Sequence, residues 1–475
     1  MSSILAIIFI VLYTYTLTTT ISVLLLENRN PAKSLSWVLV LLFLPILGLI
    51  LYVIFGQNMR KQKLVSKKSF RFSHKNQMIF DLSKLDDYRS TIKGNQMNLI
   101  KLLYKNNDAQ IYPFNRIEIF SDGKTTFEAM FQAIENAQSH IHIEFFIFGN
   151  DKISNQLREL LIKKARDGVR VRMIYDYWGS FFLSRMYLQS LRDAGVYIKP
   201  FLPLRIRLGR SKINYRNHRK LLVVDGETGF TGGLNFADRY IFGNDLGKWR
   251  DTFVRFKGSV VHGLQQLFLI DWYFVEGKMI DDPKYFPQPN RYRKNIVQVV
   301  SSGPDTDWEV IMQGISSAIM SATKYVYIHT PYFIPNEVVQ TCMQMASLSG
   351  VDVRLMIPEH SDSRLSDACS SSYLGQIMEA GVKVYKYHKG FLHSKAIVID
   401  DFISIVGSAN MDERSFNQNF EANAFMYDKR AAEQLRKLFE KDILNCEELT
   451  LEAWTNRKRW QKLQESFARL FSPLM

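Results

Sequence analysis

His218-Arg-Lys220-Leu-Leu-Val-Val-Asp225 and His393-Ser-Lys395-Ala-Ile-Val-Ile-Asp400 are two copies of one pattern. Each runs on, without a gap, into a second short motif. These are Gly232-Gly233-Leu-Asn235 and Gly407-Ser408-Ala-Asn410, so the asparagine trails the histidine by 17 positions in both copies. Residues two apart on a strand share a face. The short apolar runs Leu221–Val224 and Ala396–Ile399 read as buried strands that directly follow each His-x-Lys. One imidazole and one ammonium therefore project together from each sheet edge.

This set of side chains suits phosphorus chemistry. Lys220 and Lys395 supply fixed positive charge, and Asn235 and Asn410 supply neutral donors. The Gly232-Gly233 and Gly407-Ser408 steps are read as phosphate-binding, because a bare backbone lets an anion approach closely. Two copies facing one another make a closed cage with two imidazoles. One histidine attacks phosphorus and the other protonates the leaving oxygen, then deprotonates the incoming alcohol. Each histidine has a cation beside it, which disfavours metal ligation, so no metal and no cofactor are expected.

The duplication extends beyond the motif. His140-Ile-His-Ile-Glu-Phe-Phe-Ile-Phe148 matches Tyr325-Val-Tyr-Ile-His-Thr-Pro-Tyr-Phe333. Gly168–Ile174 matches Gly350–Ile357, and Ala194–Ile198 matches Ala380–Val384. Helix and strand alternate in each half, which predicts an α/β fold of two repeats packed about a pseudo-twofold axis. The halves differ before the catalytic strand. Gly195 precedes His218 by 23 positions, whereas Gly381 precedes His393 by 12. The excess lies around Pro200–Arg210, where Leu204, Ile206 and Leu208 alternate with Arg205 and Arg207. That segment reads as a hairpin or as a lip of the site that meets anionic lipid.

The paired motif resembles the phospholipase D superfamily, whose double HxKxxxxD signature goes with a metal-independent phosphohistidine mechanism. The strings Gly407–Phe416, Gly232–Tyr240 and Glu27–Lys33 narrow the likeness to bacterial cardiolipin synthases. That resemblance implies a catalytic set of His218, Lys220, Asp225, His393, Lys395 and Asp400, with His218 as nucleophile. It also assigns to Glu421 the task of orienting a histidine, and Asp251 is the matching acid of the first half. Asp225 and Asp400 lie seven positions beyond their histidines, at the far end of the strand. There they read as turn-stabilising or ion-pairing residues. The implied activity is phosphatidyl transfer between two phosphatidylglycerol molecules, giving cardiolipin and glycerol. The alternative on the same scaffold is a hydrolytic phospholipase D or a nuclease.

Composition and the chain ends set the surroundings. With 475 residues, 47% of them hydrophobic, the chain can bury more than one core. Cys342, Cys369 and Cys446 are odd in number and widely spaced, which excludes a disulfide framework and a zinc signature. Ser3–Leu26 and Leu35–Phe55 are uncharged and each long enough to cross ~30 Å of hydrocarbon. Seven basic residues from Arg60 to Lys75, with no acid before Asp81, predict a cytoplasmic flank. The expected organisation is two transmembrane helices (1–58), a basic juxtamembrane linker and helical segment (59–109), repeats at 110–290 and 291–449, and an amphipathic C-terminal helix (450–475). A multi-pass protein of the cell membrane, with its catalytic body in the cytoplasm, follows. Its partners are phosphatidylglycerol and anionic membrane lipids, with a homo-oligomer allowed. The net charge of +15 is assigned to lipid rather than nucleic acid, because the cations gather beside the apolar runs and in the tail.

Overall fold

A computed structural model describes residues 2–26, 31–44, 47–52, 92, 94–203 and 214–472. The chain divides into two compact units: residues 1–62 with 204–214, and residues 63–203 with 215–475.

In the smaller unit, the helix Ser2–Leu26 is followed by the helices Pro31–Phe43 and Leu47–Leu51. Tyr13 donates to the Leu41 carbonyl at 3.1 Å, and Trp37 meets Tyr52 edge-on at 5.4 Å. The expectation of two membrane spans is not met. Among the described residues no helix is long and apolar enough to cross a membrane. The first helix runs unbroken but carries the hydroxyl-rich run Tyr13–Thr20, where Thr18, Thr19 and Thr20 bond back to the carbonyls of Thr14, Tyr15 and Thr16. The second apolar run is shared between helices of 13 and five residues, with Pro45 between them in sequence. Proline cannot donate to the helical ladder.

The larger unit is built on one 16-stranded mixed sheet. At its centre Tyr112–Phe120 pairs antiparallel with Arg293–Ser302. Outward through the first half come Phe253–Gly258, Thr228–Gly232, Leu221–Val224, His140–Phe145, Arg170–Asp176 and Tyr197–Phe201. Outward through the second half come Asn419–Tyr427, Ile403–Gly407, Ala396–Ile399, Tyr325–His329, Asp352–Pro358 and Lys383–Tyr387. The order is the same in both directions, and the last three strands of each series are parallel to one another. The sequence repeat is thus a repeat of topology about the central pair. The second half carries one further edge strand, Cys446–Leu449.

Both sheet faces are covered, which is why strands such as Leu221–Val224 and Ala396–Ile399 are wholly buried. Val223, Val254 and Phe256 of the first half share a core with Tyr327, Val398 and Ala424 of the second. The structure places one helix in the described part of 59–109. That helix, Gly94–Asn107, buries Leu99, Ile100 and Leu103 in the second half's core with Ile311 and Ile315. The basic residues 59–91 lie outside the described residues, as do Leu204, Arg205, Ile206, Arg207 and Leu208. The tail forms two helices rather than one, Leu451–Thr455 and Arg459–Arg469.

Candidate active site

Two short parallel pairings between the halves assemble the site. Arg216–Asn217 pairs with Asn419–Phe420, and Gly390–Leu392 pairs with Lys248–Arg250. In each case the residues that lead into one half's histidine run beside the residues that lead into the other half's acid. The histidine backbone continues the ladder: His218 N–H donates to the Phe420 carbonyl at 2.9 Å, and His393 N–H to that of Arg250 at 2.8 Å. The acids are thereby exchanged. His218 Nδ1 lies 2.9 and 3.0 Å from the two oxygens of Glu421, and His393 Nδ1 lies 2.6 Å from Asp251 Oδ2.

The lysines sit beneath these pairs. Lys220 Nζ donates to the His218 carbonyl at 2.7 Å, and Lys395 Nζ to the His393 carbonyl at 2.5 Å. Burial pulls Lys220 down to about 7 and Lys395 to about 8, partly offset by Glu421 and Asp251. An arriving phosphate anion restores their charge. Asn235 Nδ2 donates to Tyr240 Oη at 2.9 Å, and that hydroxyl stands 3.5 Å from His393 Nδ1. Asn410 Nδ2 donates to Asp412 at 2.9 Å, while Asn410 Oδ1 is buried without a hydrogen-bond partner.

The two pairs differ in protonation. Burial drives His218 down to about 4, against the opposing pull of Glu421. Burial raises Glu421, but His218, Lys220 and the Ser408 hydroxyl outweigh it, so this carboxyl stays below its ordinary range. In the other pair, burial holds His393 well below its ordinary value, and Lys395 and Lys220 add to that. Burial also lifts Asp251 to about 7, against Lys395 and the Thr252 amide. Of the two acids Glu421 is the more readily ionised, and the Asp251–His393 pair holds a proton to higher pH than the Glu421–His218 pair.

Two residues expected to bind phosphate, Gly233 and Ser408, do other work, and Asp225 and Asp400 have partners of their own at the strand ends. The space a Gly233 side chain would fill is taken by the Asp251 carboxylate, whose Oδ1 would lie 2.1 Å from an added Cβ. Gly233 therefore admits the acid rather than a phosphate. Ser408 Oγ donates to Glu421, and so serves the carboxylate in its turn. Asp225 and Asp400 stand beyond the four-residue strands, away from the histidines. Asp225 accepts from the amides of Gln138, Ser139 and His140, each at 2.8 Å. Asp400 accepts from the amides of Thr323, Lys324 and Tyr325 at 2.6 to 2.9 Å, and from Thr323 Oγ1 at 2.7 Å. Among the described residues no cluster of three histidine, cysteine or acidic side chains is placed to hold a metal ion.

Comparison with known proteins agrees with this geometry. A family model described as the phospholipase D-like domain of cardiolipin synthase matches residues 130–250 and 315–443, and a phospholipase D-nuclease N-terminal model matches residues 3–57. A cardiolipin synthase of Halalkalibacterium halodurans is 41% identical over 95% of this chain and 91% of its own length. The chain belongs to the cardiolipin synthase family. The major cardiolipin synthase of Bacillus subtilis is 38% identical, covering 96% of both chains. Among solved structures, the phosphatidylserine synthase of Haemophilus influenzae shares the fold at a TM-score of 0.59 and 14% identity, covering 80% of this chain and 100% of its own.

The structure adds residues to the site beyond the family motif. Arg219, between His218 and Lys220, pairs, fully buried, with Asp271. The signal was available: Asp271 is the one carboxylate in the interior of the apolar helix Val260–Glu276, and such an acid calls for a buried cation. Asn217, just before His218, is pinned by Asp176 at 2.8 Å and bonds to the buried Glu144. Beside it, Arg216 lies over the Trp178 ring at 5.4 Å, and Trp178 stacks on Phe181. Phe182 follows, 87% exposed. Nothing in the spacing of Tyr177–Leu183 marks it as an aromatic lip next to the first motif.

Proposed function

We propose that this protein is a phosphatidyltransferase that makes cardiolipin from two molecules of phosphatidylglycerol, with glycerol as the other product. The observation that carries the reading is the exchange of acids between the halves, each catalytic-motif histidine resting its Nδ1 on a buried carboxyl of the other half. With Glu421 ionised, His218 Nδ1–H donates to the carboxylate and Nε2 keeps a free lone pair, as a nucleophile requires. With the proton on Asp251, its O–H donates to His393 Nδ1, and the ring carries its own hydrogen on Nε2, as a general acid requires.

His218 Nε2 attacks the phosphorus of the first phosphatidylglycerol. The P–O bond to the headgroup glycerol breaks, and its oxygen takes the proton from His393 Nε2 as the Asp251 proton passes to His393 Nδ1, which leaves a neutral ring beside an Asp251 carboxylate. A phosphatidyl–His218 intermediate remains, with Lys220, Lys395 and Asn235 around the equatorial oxygens. The hydroxyl of a second phosphatidylglycerol then gives its proton to His393 and attacks the same phosphorus. The P–N bond breaks, and cardiolipin leaves. Asn410 Oδ1, buried without a donor, offers a place for that incoming hydroxyl. One phosphodiester replaces another, so no nucleotide is consumed.

The apolar N-terminal unit is proposed to attach the enzyme to the membrane, with the cations of Arg60–Lys75 and the catalytic unit on the cytoplasmic side. The test of the activity uses purified protein with phosphatidylglycerol as sole lipid. Cardiolipin and glycerol in equal amounts support the reading. Phosphatidic acid as the accumulating lipid makes the enzyme a hydrolase and overturns it.

A further inference from the structure

The C-terminal helix Arg459–Arg469 is fastened to the body along one side only. Its Glu465 and Ala468 are buried against the helix Arg364–Glu379. Arg469 lies over the Tyr373 ring at 4.3 Å and bonds Gln376 at 3.2 Å, and Tyr373 Oη donates to Ser472 at 2.9 Å. Arg457 pairs with Glu465 at 2.7 Å, closing the turn between the two tail helices.

The other side is apolar and bare. Trp460, Leu463, Phe467 and Leu470 are 67%, 59%, 61% and 73% exposed, with Phe471 beside them. At about 100° per residue these five side chains fall within one stripe roughly 100° wide. A stripe that merely docks a helix would face the core, and this one faces away from it. Contiguous exposed apolar surface of this kind marks a contact site.

Charge decides what covers it. Lys458 and Arg459 stand exposed at the head of the stripe, with Arg457 and Lys462 in the same stretch, and Glu465, already paired with Arg457, is the one acid between positions 457 and 472. A second copy would bring the same cations against these, which disfavours pairing of the two stripes. An anionic bilayer complements both features: cations meet headgroups while tryptophan, leucine and phenylalanine enter the acyl boundary. We infer that the Trp460–Phe471 face lies in the headgroup layer of an anionic membrane and gives the catalytic unit a hold of its own, separate from the N-terminal unit. The inference draws on the proposed substrate only for the choice of an anionic lipid.

The test uses the full chain on vesicles whose phosphatidylglycerol carries brominated acyl chains, compared with phosphatidylcholine brominated in the same way. The difference in emission between the protein and its Trp460→Phe variant isolates Trp460. Its emission should be quenched in the phosphatidylglycerol vesicles and recover in phosphatidylcholine. Equal emission with and without bromine in the anionic vesicles overturns the inference, and so does disulfide crosslinking of Leu463→Cys between copies in lipid-free detergent. As a second readout, Leu463→Glu with Phe467→Glu should lower turnover on vesicles by about fivefold or more and leave a soluble short-chain phosphatidylglycerol untouched. Equal losses on both substrates also overturn it. Quenching without cardiolipin formation would leave this contact standing while the proposed activity fell.

Discussion

The two halves present the same side chains in the same order, yet the first half's histidine faces a glutamate anion and the second half's faces an aspartic acid that keeps its proton to about 7. The difference comes from the acids' own neighbours. Ser408 donates a hydroxyl to Glu421, and Asn419 adds an amide at 3.2 Å. Gly233, at the position matching Ser408, brings no donor to Asp251, which receives the Thr252 amide at 2.7 Å. On the proposed assignment, a twofold scaffold distinguishes nucleophile from acid through the groups beside each carboxylate, with the imidazoles themselves placed alike.

The widest gap between the halves should appear when the histidines themselves are removed. On phosphatidylglycerol both His218→Ala and His393→Ala should lose at least about 10⁴-fold in turnover, because members of one catalytic unit fail together. The variants should separate on a nitrophenyl phosphodiester, whose leaving group departs without a proton. His393→Ala should still release a burst of nitrophenolate and trap the phosphoenzyme; His218→Ala should do neither. A burst from His218→Ala alone would exchange the roles.

The acids sharpen the contrast at the next level down. In Glu421→Gln the amide can donate to His218 Nδ1, which moves the ring proton onto Nε2 and blocks the attacking lone pair. Placing a proton on the wrong nitrogen of a catalytic histidine costs on the order of 10³–10⁴ in kcat. In Asp251→Asn the amide still donates to His393 Nδ1 and leaves Nε2 protonated, so the loss should be nearer 10–100-fold. Equal losses in the two variants would mean that the pairs do not differ in tautomer.

The same asymmetry sets the pH profile. As pH falls through about 4, His218 gains a proton and ceases to be a nucleophile. As pH rises through about 7, the Asp251–His393 pair loses the proton needed by the leaving group, and Lys220 and then Lys395 lose charge near 7 and 8. Activity at low substrate, kcat/KM, should therefore be highest between these limits and decline on the alkaline side first from physiological pH. Asp251→Asn should take the Asp251 proton out of that limb, whereas Glu421→Gln should move the lysine part of it to lower pH, because Glu421 holds the Lys220 and Lys395 charges up. A profile that is flat from pH 6 to 9 would contradict the assignment.

Much of this was legible in the chain because duplication acts as an internal control. Identical spacing from His218 to Asn235 and from His393 to Asn410 marked both strands and both loops, and the match of Gly168–Ile174 to Gly350–Ile357 carried the repeat beyond the motif. What the spacing could not carry was which acid serves which histidine. Glu421 and Asp251 lie in their own halves by sequence, and only the parallel pairings of 216–217 with 419–420 and of 390–392 with 248–250 cross them over. Gly233 and Ser408 were misplaced for a related reason. A small residue leaves room, but the sequence does not say whether a substrate or a neighbouring carboxylate takes it. The apolar N-terminal runs exposed a different weakness. Length without charge suggests a span, while the polar run Tyr13–Thr20 and the short helices on either side of Pro45 weigh against one.

The smallest effect on chemistry should come from the motif's last member. Asp225 and Asp400 both adopt positive φ, 55° and 52°, a conformation that asparagine also tolerates. Asp225→Asn and Asp400→Asn should therefore keep the turn and lose only part of the acceptor set. One carboxylate oxygen becomes an amide nitrogen that faces N–H donors, at about 1–3 kcal/mol for a lost hydrogen bond to a charged group. Asp400 receives one donor more, the Thr323 hydroxyl, so its variant should be the less stable of the two in urea titration. Introducing Thr323→Ala first should remove that excess and bring the two halves level. Turnover measured well below the unfolding transition should stay within about twofold in all of these, since the carboxylates hold strand ends and touch neither histidine. A tenfold fall in kcat with an unchanged urea midpoint would place these aspartates in the chemistry after all.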